Sequence, residues 1–252
     1  MLTERFVVGV DDTDTAGPDG ARSGGTGALV RALAAAYVAD GLGESHGVTR
    51  HQLFDSPKIV STGDNCAYAV ELQSDQSVND IEDWLVRYVR ANAERRADPG
   101  IAIMSRHSDM PHVLAFGRRS QNELMKLDFA QTFSTEANVR LRALGGKRLG
   151  SIGALAAAGL RAGGGDGRYV DLDGLRDLKG RMTAGQMRTT CPALTRIIDE
   201  GSGEPMDRDD MIDTGDWVRP RLFEGGPYVL ARRSETERRL WLLVDRRPAG
   251  KD

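Results

Sequence analysis

The chain has 252 residues, 40% of them hydrophobic and 28% charged, with a net charge of −3. That length allows one large or two small domains with real cores, and the charge balance gives no support to a strongly basic nucleic-acid-binding surface. Two cysteines, Cys66 and Cys191, stand far apart with no CxxC or Cys/His cluster, which excludes a zinc ribbon or finger and suits a reducing cytoplasm. The N-terminus lacks the basic start and apolar run of a signal peptide, and no stretch approaches the roughly 20 apolar residues of a spanning helix. A cytoplasmic protein with no membrane partner is expected.

Arg5 to Val10 (RFVVGV) is a short apolar run rich in β-branched residues, which predicts a buried strand. A long loop full of Asp, Gly and Ser follows. The next segment has helical spacing, with Leu29, Leu33, Ala36 and Val38 marking one side and Gly41 and Gly43 ending it. HGVTRHQLF and CAYAVELQ predict a second and a third strand. SVNDIEDWLVRYVRANAE predicts an amphipathic helix capped by Ser77 or Asn79, with Ile81, Trp84, Leu85, Tyr88 and Val89 on one face. DPGIAIMSR reads as a turn and a strand. The first hundred residues therefore read β-α-β-β-α-β with a mixed sheet.

The second half begins near residue 111. Asn122 to Leu144 is expected to be helical. GGKRLGSIGALAAAGLRAGGG predicts a glycine-bounded, Ala-rich helix whose small side chains let other backbones approach, so it is expected to be central and buried. RYVDL, DWVRPRLF, GPYVLARR and RLWLLVD read as strands, and the acidic stretch 199–216 as a mobile surface loop.

Chemistry concentrates in four places. Asp11, Asp12 and Asp14 place three carboxylates within four positions after a strand. Clustered carboxylates repel unless a cation neutralises them, and magnesium typically takes one or two carboxylates plus phosphate oxygens. Alternation puts Asp12 and Asp14 together and turns Asp11 away. A solvated acidic turn with side-chain caps is the structural alternative. The glycines Gly24, Gly25 and Gly27 flank Thr26 just before a helix, where backbone N–H groups and the helix dipole favour an anion. Thr26 serves either as a helix cap or as a phosphate contact or acceptor. It is not a Walker motif, since GxxxxGK[ST] is missing. The polar turn STGDNCA offers Thr62 and Asn65 to a ligand. Finally, Gly145, Gly146, Lys147, Arg148 and Gly150 form a glycine turn with two cations at a helix start, a second candidate phosphate cradle. The histidines His46, His51, His107 and His112 show no metal-ligand spacing and are expected to be structural or superficial.

In order along the chain, VGVDDTDT with GGTG, TGDNCA, DPGIAI, KRLGSIGALAAAG and GGPYVLARR resemble the archaeal tRNA-isoleucine agmatinylcytidine (agmatidine) synthetase family. The resemblance implies an α+β protein: a kinase-like α/β domain with a mixed sheet over residues 1–110, which handles ATP and magnesium, and a ferredoxin-like domain over 111–248. It places ATP and magnesium on Asp11, Asp12 and Asp14, matches Thr26 to a phosphorylated threonine, and matches Thr62 and Asn65 to polar residues of the second turn. It also implies activation of a carbonyl by ATP and displacement by an amine such as agmatine. Where the family has a Cys-Thr-Thr stretch this chain reads Gly25-Thr26-Gly27, and Thr62-Gly63-Asp64-Asn65 stands for a basic turn. The family's OB-fold and zinc ribbon are not expected here.

The expected function is ATP- and magnesium-dependent phosphoryl transfer or ligation on a small carbonyl or amide acceptor, with the nucleotide between the two domains. Asp11, Asp12 and Thr26 are the catalytic candidates. Gly24, Gly25, Gly27, Thr62, Asn65, Lys147, Arg148 and Gly150 are the nucleotide contacts. Two rivals stand beside it: a tRNA cytidine-modifying enzyme working with a partner, and a non-catalytic sensor of a nucleotide or amine, for which Asp207, Asp209, Asp210 and Asp213 supply negative charge.

Overall fold

The structure is a computed structural model that describes residues 3–15, 25–57 and 65–247. The chain is mixed α/β and divides into two compact units, Met1–Gly167 and Arg168–Asp252. The division expected near residue 110 falls inside the first unit, between its fourth strand and its third helix.

The first unit runs β1 (Glu4–Asp11), α1 (Gly25–Ala39), β2 (Glu44–Gln52), β3 (Cys66–Ser74), α2 (Val78–Asn92), β4 (Gly100–Met104), α3 (Met110–Ser120), α4 (Leu127–Glu136), β5 (Arg140–Ala143) and α5 (Gly150–Ala162). Its strand order is β5-β4-β1-β3-β2, and every neighbouring pair is antiparallel. The mixed sheet expected for the first hundred residues is therefore an antiparallel one. The order β4-β1-β3-β2 from a β-α-β-β-α-β chain is the split βαβ, ferredoxin-like arrangement. It lies in residues 4–104, where the sequence reads β-α-β-β-α-β, whereas the family resemblance places the ferredoxin-like domain after residue 110.

Local physics accounts for these elements. On α1 the buried stripe is Val30, Leu33, Ala34 and Tyr37, at i, i+3, i+4 and i+7, while Val38 is exposed. Ser77 caps α2 by accepting from the Asp80 amide, and Ile81, Leu85 and Val89 face inward. Asp109 caps α3 in the same way through the His112 amide, with Pro111 in the first turn, where its missing N–H costs nothing. The helix expected over 122–144 is shorter: α4 stops at Glu136, Asn138 turns the chain at φ 52°, and the remainder forms the edge strand β5.

Helix α5 is the buried centre of this unit. Eleven of its 13 residues are buried, as its Ala and Gly content predicts. A Cβ on Gly9 of β1 would sit 1.9 Å from the Ala154 carbonyl oxygen, so sheet and helix backbones are in direct contact. Gly117 of α3 and Gly159 of α5 give α3 the same close approach, with virtual Cβ contacts of 2.8 and 2.2 Å.

The second unit is mostly strands: β6 (Arg168–Asp171), β7 (Arg181–Thr183), β8 (Arg196–Asp199), β9 (Met211–Asp213), β10 (Trp217–Val218), β11 (Arg221–Phe223), β12 (Gly226–Arg233), β13 (Leu240–Leu243) and β14 (Arg246–Arg247), with one seven-residue helix, α6 (Ala184–Thr190). The long strand β12 pairs antiparallel with β11 and β13 and parallel with β8, and β13 pairs parallel with β9. Strand β9 lies inside the stretch expected to be a loop. A separate apolar cluster, including Tyr169, Met187, Ile197 and Trp241, fills this unit. Among the described residues no helix is long and apolar enough to cross a membrane.

Candidate active site

Strand β1 is apolar because Phe6, Val8 and Val10 are fully buried. Its polar end is a different environment. Asp11 still pairs in the sheet, opposite Gly100. Its carboxyl is pressed on α5, where a Cβ on Gly153 would lie 1.9 Å from Asp11 Oδ2. Burial, then the charges of Asp12 and Asp14, hold this carboxyl well above the usual carboxylate range. Asp12 leaves the strand in the left-handed region at φ 55°, a conformation that Asp tolerates better than most residues. Its pKa is pushed up to about 6 by burial, Asp98 and Asp14, with Lys147 opposing.

The next side chains form a closed knot with the start of α1. Thr26 Oγ1 donates to Asp14 Oδ1 at 2.9 Å. It accepts from the Thr13 amide and the Thr13 hydroxyl, both at 3.1 Å. Thr26 and Asp14 are both buried. A general base must lie within hydrogen-bond reach of the proton that it takes, and Asp14 does so for Thr26. Gly25 has φ 70° beside Asp14, and Gly27 lies so close to Tyr68 of β3 that a Cβ would be 2.7 Å from its ring.

Two acids missed in the sequence hold the surrounding loops. Glu94, just past α2, donates its amide to Thr13 O at 2.9 Å and accepts the Thr15 amide at 2.8 Å as well as the Thr15 hydroxyl. Asp98, four residues on, accepts three successive amides ahead of α5: Lys147 N at 3.1 Å and Arg148 N at 2.8 Å on Oδ1, and Leu149 N at 2.8 Å on Oδ2. The amides expected to cradle a phosphate at Lys147 and Arg148 are thus engaged by a carboxylate of the chain itself. The adjacent glycines fit the same guest: Cβ atoms on Gly145 and Gly150 would fall 2.2 and 2.3 Å from Asp98 atoms. The only local signal was DPG, which reads as a turn. Nothing in its spacing shows that the carboxyl reaches a loop about 50 residues away.

The structure therefore brings together Asp11, Asp12, Asp14, Thr26, Gly25 and Gly27 with Asp98, Lys147, Arg148 and Gly150, all within the first unit. Asn65 goes elsewhere. Its side chain donates to Phe54 O at 2.8 Å and closes the β2–β3 connection. Gly24 and Thr62 lie outside the described residues. Among the described residues no three His, Cys, Asp or Glu side chains converge as a metal cage. The Asp12 carboxylate makes no hydrogen bond or ion pair to a described residue, whereas Asp98 and Asp14 are engaged as above. Of the histidines, His51 is fully buried between Thr49 (2.8 Å) and Asp166 (2.9 Å), and burial lowers its pKa. The acidic stretch of the second unit ties itself into turns, with Asp210 accepting from the Asp207 amide and Asp213 from the Gly215 amide.

No protein-family model and no curated protein matches the chain. Solved structures do. A complex of TiaS with an isoleucine tRNA and ATP is similar with a TM-score of 0.53 and 25% identity, over 62% of this chain and 36% of that one. The fold is TiaS-like. A tRNA fluorescent labelling enzyme gives a TM-score of 0.52 at 25% identity, over the same 62% and 36%. A complex of TiaS with the same tRNA, AMPCPP and agmatine, at 19% identity and a TM-score of 0.50, extends over 88% of this chain and 54% of its own. TiaS is a tRNA-isoleucine agmatidine synthetase. The chain spans about a third of the length of the first two structures, at 36% each.

Proposed function

We propose that the chain is an ATP-dependent enzyme whose phosphoryl chemistry runs at the end of β1. The observation that carries this reading is the Thr26 hydroxyl bonded to Asp14 at the start of α1, next to the electrostatically strained Asp12. The similarity to a TiaS complex that contains ATP supports the nucleotide. In this reading the first unit is kinase-like in chemistry though ferredoxin-like in strand order.

Magnesium fits the donor set as an ion shared between protein and phosphate. Asp12 would hold it, with Asp14 adding negative charge nearby, and the ion would neutralise phosphate oxygens. The chain's own groups do the rest. The α1 N-terminus and the Lys147 and Arg148 side chains face the phosphate charge. Asp14 takes the Thr26 proton as the hydroxyl oxygen forms a bond to the terminal phosphorus of ATP and the bond from that phosphorus to the bridging oxygen breaks, so that the nucleotide diphosphate leaves with the electron pair. The final acceptor is a small carbonyl or amide compound, activated for attack by an amine such as agmatine. A second reading, a tRNA acceptor presented with a partner protein, is favoured by the names of both 25%-identical structures.

The test is nucleotide turnover by purified protein with magnesium, followed by mass spectrometry of nucleotide and of Thr26, beside Asp12→Asn and Thr26→Ala. Turnover lost in Asp12→Asn supports the enzyme. Binding without turnover, with amines, nucleosides and tRNA all supplied, selects the sensor. Stimulation by tRNA alone selects the second reading, and no ATP binding rejects the central claim.

A further inference from the structure

The motif Gly-Gly-Lys-Arg-Leu-Gly ahead of α5 looks like an anion loop, yet its amides are filled from within. Asp98 caps three consecutive N–H groups, and the loop closes around it tightly enough that neither Gly145 nor Gly150 has space for a Cβ. The middle residue, Arg148, is held at φ 64°. For a residue with a long side chain this left-handed conformation is uncommon and unfavourable, so it persists only where surrounding contacts enforce it. The two 2.8 Å bonds to the Arg148 and Leu149 amides enforce it here. On the same connection Glu94 grips Thr13 and Thr15 on the opposite loop. One short segment, 94–98, therefore ties down both charged loops of the site. The Lys147 and Arg148 side chains themselves make no hydrogen bond or ion pair to a described residue.

We propose that Asp98 is a positioning residue of the ATP site: by capturing the 147–149 amides it fixes the loop so that the Lys147 and Arg148 side chains, rather than their amides, meet the nucleotide phosphates. This rests on the ATP reading above. Its sign separates it from simple electrostatics. Asp98 is a negative charge beside the proposed phosphate site, so neutralising it would on charge alone strengthen ATP binding. Positioning requires the reverse.

The test compares wild type with Asp98→Asn and Gly145→Ala, measuring ATP affinity by calorimetry, KM and kcat by turnover, and exchange of the 147–149 amides by NMR. The expected result for both variants is a KM for ATP raised about tenfold with kcat changed less than about threefold, together with faster exchange at those three amides. Asp98→Asn binding ATP as well as or better than wild type would overturn the role, as would unchanged amide exchange. In the wild type, ATP should also protect Lys147 from an amine-reactive label, and no protection overturns the proposal even if both variants fail to fold. Absence of ATP binding by the wild type sinks the ATP reading itself and this role with it, an outcome distinct from wild-type binding that Asp98→Asn leaves intact.

Discussion

Two helix starts in the first unit carry the same sequence signature, and they have become different things. Before α1 and before α5, glycines lead into a helix, the pattern that commonly marks an anion site. At α1 a hydroxyl, Thr26, is bonded to an acid just past the strand end. At α5 a carboxylate from a distant turn fills the amides. Glycine before a helix signals that something comes close to the backbone. It does not say whether that something is a ligand or the protein.

The comparison can be broken by crowding. Gly9→Val drives a side chain into the Ala154 carbonyl and should cost about 3 kcal/mol or more in urea unfolding, since overpacking with a fixed backbone has no relief. A mild effect would mean that α5 can retreat from β1. Emptying the α5 start comes next. Asp98→Ala leaves three amides without their charged acceptor, and a loss of about 2 kcal/mol is expected, read from the same unfolding curves.

A smaller effect of opposite sign is expected at Asp12. Its carboxyl has a pKa of about 6 in the fold against an ordinary value of 3.8. The folded state therefore favours the proton, so the ionised group costs stability. That cost is absent below about pH 4, grows between about pH 4 and 6, and is complete above about pH 6. Asp12→Asn should raise stability at about pH 7 to 8 by about 1 to 2 kcal/mol, discounted for the water that reaches the site, and by nothing near about pH 3.5. Equal stabilisation at both pH values would remove the electrostatic account. Thr26→Ser is the finest probe. It keeps the hydroxyl and loses one buried methyl, so a change of under about 1 kcal/mol with intact ATP binding is expected, whereas Thr26→Ala should abolish modification at residue 26.

Much of the first unit was legible because its signals are local. Alternation marked β3, the helical stripe with its Ser77 cap marked α2, and small residues marked α5 as buried. Helix α3 is not legible in the same way: Asp109 and Pro111 announce its start, but its apolar residues Val113, Leu114 and Phe116 crowd into a single turn and set up no repeating stripe. Strand β5 was absorbed into a helix because four residues of an edge strand have too little pattern to compete. In the second unit β7, β8 and β9, three or four residues each, escaped for the same reason. The sheet's antiparallel register is a matter of pairing across the fold and leaves no trace in periodicity. Asp11, Asp12, Asp14 and Thr26 stand out in sequence by clustering. Asp98 and Glu94 do not, since what matters about them is the distant loop that each one holds.

The Gly9–Ala154 approach has a mechanical consequence. Side chains normally act as bearings between a helix and a sheet, letting the helix creep a fraction of a turn when a ligand arrives. Here carbonyl meets backbone with no bearing between them, and Gly153 locks on Asp11 a turn away from Gly150, which lies against Asp98 and Asp12. Helix α5 cannot ratchet along β1. The acid-bearing end of the strand is thus an anvil, and any closure on a substrate has to be supplied by the hammer side, from elements that do not share this seam.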